Sequence, residues 1–264
     1  ADRHCTLPFV LPYFRNTGLY PQILQKSKHM MLNYYQIDQF TRRTVSLLEK
    51  LTSFVPVYYA NGNHEERMNR ERDVYGDLYD RFQMELKRLG VHYLSDRSEE
   101  INPWIRVTGC NLREIYYKHH FTVPELPMEE LSERVGTAAE KTCFHQMKES
   151  FSPDLAEKER EAGHEMYEIL LFHSPLFFET CRKWGADLTL CGHFHGGTIR
   201  IPGLGGVMTP QYQFFLPWCA GRFDADGKTM IVSRGLGTHS INVRLNDRPE
   251  LVCVTLRGKQ YCME

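Results

Sequence analysis

Three apolar runs that each break off at Asn or His residues restrict this chain more than any other feature of it. Val55-Pro56-Val57-Tyr58-Tyr59-Ala60 leads into Asn61-Gly62-Asn63-His64-Glu65. Ile169-Leu170-Leu171-Phe172 ends in His173-Ser174-Pro175, and Ala186-Asp187-Leu188-Thr189-Leu190-Cys191 ends in Gly192-His193-Phe194-His195. Short runs rich in β-branched and aromatic residues, bounded by turn residues, read as buried strands. The first and last strings lie about 130 residues apart, so only the fold brings them together. Open α/β sheets place their ligand crevice at strand ends, and here three strand ends carry metal-seeking side chains.

With 264 residues the chain can bury a full core, and one domain spanning 1–264 is expected. Between Gln36 and Leu51, Ile37, Phe40, Val45, Leu47, Leu48 and Leu51 recur near helical spacing, which predicts an amphipathic helix leading into the first strand. A second helical pattern runs from Val74 to Leu89 and closes at Gly90. Further strands are expected at Val91 to Leu94 and Trp104 to Thr108, with late strands at Met230 to Ser233 and Leu251 to Leu256 completing a second sheet. This alternation favours an α/β sandwich. Residues 112–163 interrupt it with many acidic and some basic side chains, and read as a helical insertion, either a solvated face or a cap over the substrate. Residues 1–33 are an atypical or incomplete amino-terminal segment, with no clear strand or helical period in residues 1–30.

Charges nearly cancel, 32 Lys plus Arg against 33 Asp plus Glu, and no basic run gives a phosphate-tracking signal for nucleic acid. Eight cysteines (Cys5, Cys110, Cys143, Cys181, Cys191, Cys219, Cys253, Cys262) are scattered without close spacing, which reads as reduced, partly buried thiols in a cytoplasmic protein. No stretch approaches the ~20 apolar residues of a membrane helix, and the start lacks the order of a secretory signal. The expectation is a soluble chain, with a peripheral membrane contact as the variant reading. The cluster Phe214-Phe215-Leu216-Pro217-Trp218 is packed in one reading and exposed to a lipid-like substrate in the other.

His193 and His195 would project to one side of an extended chain, about 6.5 to 7 Å apart. Two metals about 3.5 to 4 Å apart could each take one of them. Asn63, His173 and His193 could together hold one ion in a nitrogen and oxygen shell that suits Mn, Fe or Zn better than Ca or Mg. His64, next to a proposed ligand, would protonate the leaving oxygen or stabilise phosphoryl charge, with Glu65 orienting its ring. Taken singly, His173 is an ordinary hydrogen-bonded histidine and Asn63 a turn residue. Taken together behind three apolar runs, they have no comparable structural explanation.

At these residues the chain resembles the calcineurin-like metallophosphoesterases, in particular the small bacterial members, over roughly Tyr34 to Arg257. The likeness includes Gly192-His193-Phe194-His195-Gly196-Gly197 leading to Arg200-Ile201-Pro202, Ser233-Arg234-Gly235-Leu236-Gly237, and Asn246-Asp247-Arg248-Pro249-Glu250. It implies a four-layered α/β/β/α sandwich with a two-metal site, in which Asn63, His173 and His193 bind the second metal, His195 the first, and His64 serves catalysis. The departure lies at the amino end, where the family has an Asp-x-His strand end and a Gly-Asp motif whose aspartate bridges both metals. Asp2-Arg3-His4 has the first pattern without a strand before it, and Thr17-Gly18-Leu19 lacks the aspartate of the second. Less negative charge then offsets the repulsion of two cations, leaving one metal as an alternative to two. The expected function is metal-dependent hydrolysis of a small-molecule or lipid-like phosphomonoester or phosphodiester. The alternative is a catalytically impaired or non-catalytic binding protein.

Overall fold

The computed structural model describes residues 5–8, 25–102, 104–117, 124–137, 166–197, 199–201, 205–207, 209, 214, 216–237 and 244–257. In chain order the elements are β1 (Cys5–Pro8), α1 (Gln25–Thr52), β2 (Tyr58–Tyr59), α2 (Asn63–Arg70), α3 (Arg72–Tyr75), α4 (Leu78–Arg88) and β3 (His92–Tyr93). Then come β4 (Arg97–Asn102), β5 (Ile105–Cys110), α5 (Met128–Val135), β6 (Tyr167–Phe172), α6 (Phe178–Trp184) and β7 (Leu188–Cys191). The last are β8 (Arg200–Ile201), β9 (Gly205–Gly206), β10 (Gly221–Ala225), β11 (Lys228–Val232) and β12 (Cys253–Leu256). The Asp2-Arg3-His4 and Thr17-Gly18-Leu19 strings lie outside the described residues.

Six strands form the central sheet in the order β10-β11-β7-β6-β5-β4. Its inner four, β11, β7, β6 and β5, run parallel, and β10 and β4 close the two edges antiparallel. Parallel strands covered on both faces need apolar side chains on both, which is why the central pair β6 and β7 read as nearly continuous apolar runs over Ile169–Phe172 and Leu188–Cys191. Along β6 the alternation is explicit: Leu170 and Phe172 pack with Cys110, Leu131, Cys181 and Trp184 on one face, while Ile169 and Leu171 pack with Leu94, Val107, Leu188 and Leu190 on the other. Beyond that second face, Tyr58, Val254 and Leu256 line an apolar cavity against the sheet. Its neighbour Tyr59 faces the opposite way, into a cluster with Leu48, Tyr75, Phe82 and Leu86 of the helices.

Several expectations are corrected. Among the described residues the strand before Gly62 is in ladder over Tyr58–Tyr59, paired with β3; Pro56 has no N–H to extend it. The helix expected from Val74 to Leu89 is two, because Gly76 takes φ 57 between α3 and α4. Gly90, φ 68, does close the second. The late strands do not share a second sheet: β11 lies parallel to β7 in the central sheet and β12 pairs with β1. Within 112–163, residues 118–123 and 138–163 lie outside the described residues. Helix α5 is amphipathic and buries Leu131 and Val135 against α6; its Glu129 and Glu133 are exposed, while Glu130 accepts from Tyr116 Oη at 2.5 Å. Trp184 Nε1 donates to Gly136 O at 2.8 Å and fixes that contact.

The two ends of the central strands differ chemically. At the amino ends Arg106 Nε pairs with Glu168 Oε2 at 2.5 Å in the interior, and Lys228 Nζ pairs with Asp187 Oδ1 at 2.6 Å in a partly exposed position. Each of those charges has its partner, as burial demands. The carboxyl ends carry the Asn, His and Tyr residues described below. Gly109 keeps the layers close there: a Cβ on it would meet Leu94 O, Leu94 Cβ at 2.7 Å and Ala60 Cβ at 3.0 Å. Gly109→Ala is therefore expected to cost about 1–3 kcal/mol in urea unfolding, with an unchanged m value.

Candidate metal site at the strand ends

Parallel pairing in register delivers three loops to one edge of the sheet. Tyr117 follows β5, His173 follows β6, and His193 and His195 follow β7. Gly192 N donates to His173 O at 3.1 Å, which ties the two histidine loops through their backbones. After β7 the chain is not extended. His193 (φ 69), His195 (φ 51), Gly196 (φ 74) and Gly197 (φ 86) occupy the left-handed region, so the expectation of two histidines projecting from one side of a strand is corrected to a tight turn. Left-handed backbone costs a non-glycine residue roughly 1–2 kcal/mol, and two such residues within three mark a turn held by its surroundings. Phe194, fully buried between them, is the anchor.

The fourth contributor comes from a helix. Gly62 caps α2, so Asn63 is its first helical residue rather than part of a loop. His173 Nε2 lies 3.0 Å from Asn63 Oδ1. The rings of His173 and His193 are 5.1 Å apart, and Tyr117 covers both at 6.1 and 5.0 Å between centroids. The structure thus brings Asn63, His173 and His193 together, with Tyr117 as a cover that sequence reasoning missed. The signal was available, since Tyr117 lies in the loop following another strand of the same parallel set. Burial of the His173 ring pushes its pKa down to about 4, so it is neutral at pH 7 and keeps a lone pair for a metal. The same crowding raises the Tyr117 phenol well above its ordinary value.

Glu65 does not orient His64. Its buried carboxylate accepts from Tyr59 Oη at 2.7 Å and from Gly62 N at 2.9 Å, closing the first turn of α2 on its own cap. The His64 ring instead lies 6.0 Å from that of Phe40 in α1, tilted by 39°. Asn61, also buried, accepts from Tyr93 Oη at 2.8 Å and donates to Glu66 Oε1 at 2.8 Å, which pins the strand end before Gly62. Behind the histidine turn, Asp247 is buried against Gly196, leaving no room for a Cβ there, and Arg244 Nη1 stands 3.4 Å from its Oδ2.

Two imidazoles and an amide oxygen at one spot form a donor set that fits one borderline divalent ion. Among the described residues no three His, Cys, Asp or Glu side chains converge to hold a metal; the oxygen nearest the His173 ring nitrogen is that of the Asn63 amide. The buried thiols of Cys181, Cys191 and Cys219 are pushed up by burial, which disfavours the thiolate a metal would need.

No protein-family model matches the chain, and no solved structure does. Curated relatives do. The chain is 29% identical over 107 residues to the uncharacterized metallophosphoesterase YkuE of Bacillus subtilis, covering 40% of this chain and 37% of that protein. It is 38% identical over 93 residues to an uncharacterized metallophosphoesterase of Aquifex aeolicus, covering 35% and 34%. To the phosphodiesterase YaeI of Escherichia coli it is 34% identical over 88 residues, covering 33% and 32%. The matches span about a third of the length of these relatives. They support assignment of the chain to the metallophosphoesterase family.

Gly62 lets the His173 ring approach: a Cβ on it would stand 2.9 Å from Cε1 and 3.1 Å from both ring nitrogens. Gly62→Ala is expected to displace the imidazole, seen as a shift of the His173 ring resonances by NMR. Thermal unfolding should show a loss of about 1–3 kcal/mol.

Proposed function

We propose that the chain hydrolyses a phosphoester, monoester or diester, at the carboxyl edge of the central sheet. The observation that carries the reading is the convergence of Asn63, His173 and His193 from a helix start and two strand ends. A divalent ion held by these three residues, Mn, Fe or Zn by the donor chemistry, would polarise the phosphoryl group and lower the pKa of water for in-line attack. His195 would hold a second ion as the family resemblance implies. The neutral His173 ring contributes its lone pair without first losing a proton. His64, second in α2, supplies a proton to the leaving oxygen or positive charge to the phosphoryl oxygens, and the start of α2 adds its partial positive charge. Tyr117 and Phe194 pack beside His193 and limit water around the ring. The relatives named metallophosphoesterase and phosphodiesterase support this class of reaction. The outward succession of helices, central sheet, Tyr58 with Val254 and Leu256, and helices again supports a four-layered sandwich as its frame.

A second reading, a binding protein without turnover, is favoured by one observation: no carboxylate joins the two histidines among the described residues. Manganese-dependent hydrolysis of bis(p-nitrophenyl) phosphate separates the two. The hydrolase reading expects turnover that requires added metal and falls about a hundredfold or more in His64→Ala, with the fold unchanged by circular dichroism. No turnover by the parent chain with excess manganese contradicts it and leaves the binding reading.

A further inference from the structure

We infer that Asp247 is a positioning residue for the candidate metal site, its buried carboxylate setting the left-handed turn that carries His193 and His195. The role rests on the reading of these histidines as metal ligands. His193, His195, Gly196 and Gly197 all have positive φ, a conformation that costs the two histidines free energy unless their surroundings impose it. Within the turn Gly197 N donates to Phe194 O at 2.7 Å, and the buried Phe194 ring supplies a restraint from the core. Asp247 supplies another, from a segment about 50 residues further along the chain.

The contact is close. Asp247 is 2% exposed, and a Cβ on Gly196 would collide with its Oδ1 and stand 2.7 Å from its Cγ. Glycine at 196 therefore lets the carboxylate press on the backbone directly after His195. Asn246, at φ 54, makes the turn that precedes Asp247. A buried carboxylate persists only where cations offset its desolvation. Arg244 Nη1 stands 3.4 Å from Oδ2, and Arg200 and Arg234 add attraction against a lesser repulsion from Glu250.

These arginines tie the contact to the rest of the fold. Arg244 Nη2 donates to Arg234 O at 2.8 Å and to Gly237 O, both in the loop after β11. Arg234 donates from N to Glu250 Oε1 at 2.9 Å and from Nε to Glu250 Oε2 at 2.7 Å. Ser233 N donates to Cys191 O at 2.9 Å, which sets that loop beside the end of β7. Arg200 N donates to Leu245 O at 3.0 Å, and Arg200 Nη1 to Gly196 O at 2.8 Å. Gly196 is thus held at two points, its carbonyl by Arg200 and its α-carbon by Asp247. Groups that lock the backbone behind a ligand fix the direction of its ring, and their loss weakens metal binding without removing a donor.

The test uses the full 264-residue chain, and its first readout needs no metal. Ring resonances of His193 and His195 and the amide resonance of Gly196 are assigned by NMR in the parent. Asp247→Ala is expected to shift the His195 ring and the Gly196 amide, and to leave the ring of His92, paired with Glu99, unmoved. Asp247→Asn keeps the shape, loses the charge and shifts them less. With manganese(II) added, Asp247→Ala weakens binding about tenfold or more, and Asp247→Asn partly restores it. Glu168→Gln alters a carboxylate just as buried, at the far end of the strands; it lowers the unfolding midpoint and leaves resonances and manganese affinity at parent values. Circular dichroism checks the folding of each variant, and where Asp247→Ala does not fold, the shift in Asp247→Asn decides. Four results overturn the inference: parent-like His195 and Gly196 resonances in Asp247→Ala, a manganese affinity that survives that change, an equal loss in Glu168→Gln, or an Asp247→Asn chain that fails to fold. A parent chain that binds no manganese contradicts the metal reading instead, and the resonances alone then decide the role of Asp247.

Discussion

The parallel register of β5, β6 and β7 is the constraint on which the rest depends. Pairing of Cys110 with Phe172 and of Leu171 with Leu190 brings the three strands to an end at one level, so whatever follows each strand emerges at one edge. Tyr117, His173 and His193 are neighbours for that reason, although they lie far apart in the chain. A slip of one residue would turn Leu170 and Phe172 out of their cluster and rotate His173 away from Asn63. The burial of both faces of β6 is therefore what locates the candidate site. The glycines complete the arrangement: Gly62 gives the His173 ring its clearance, and Gly109 lets the sheet approach Ala60, just beyond β2, and Leu94.

Much of this was legible in the sequence because the governing patterns are local. Nearly continuous apolar runs marked β6 and β7, helical spacing marked α1 and α4, and Gly90 marked a helix end. What failed was set by tertiary context. Extended geometry was assumed for His193 and His195, whereas Phe194 is drawn into the core and forces the residues on either side into left-handed backbone. Glu65 looked like a partner for His64, but Tyr59 and the cap of α2 claim both its oxygens. The placement of β11 in the central sheet could not be read either, since strand order follows from long-range packing rather than from any residue pattern. Tyr117 was missed because an aromatic residue after a strand ordinarily signals core.

The site is continuous in backbone with the short ladder that follows it. The turn that carries His193 and His195 continues through Gly196 and Gly197 into β8, where Arg200 reaches back to the Gly196 carbonyl. Apolar surface in this region stands beside the imidazole pair, while the paired charges of Arg106, Glu168, Asp187 and Lys228 occupy the far end of the strands. The two ends of the sheet thus differ, with paired charges at one and the imidazoles and the Asn63 amide at the other.

The central claim is that Asn63, His173 and His193 hold a divalent ion. Pulsed electron paramagnetic resonance of manganese(II) bound to the chain tests it directly, because imidazole nitrogens modulate the electron spin echo. The account predicts histidine nitrogen modulation from a single tight site, weakened in His193→Ala and in His173→Ala. Manganese coordinated by oxygen alone, or modulation unchanged in both variants, would contradict it.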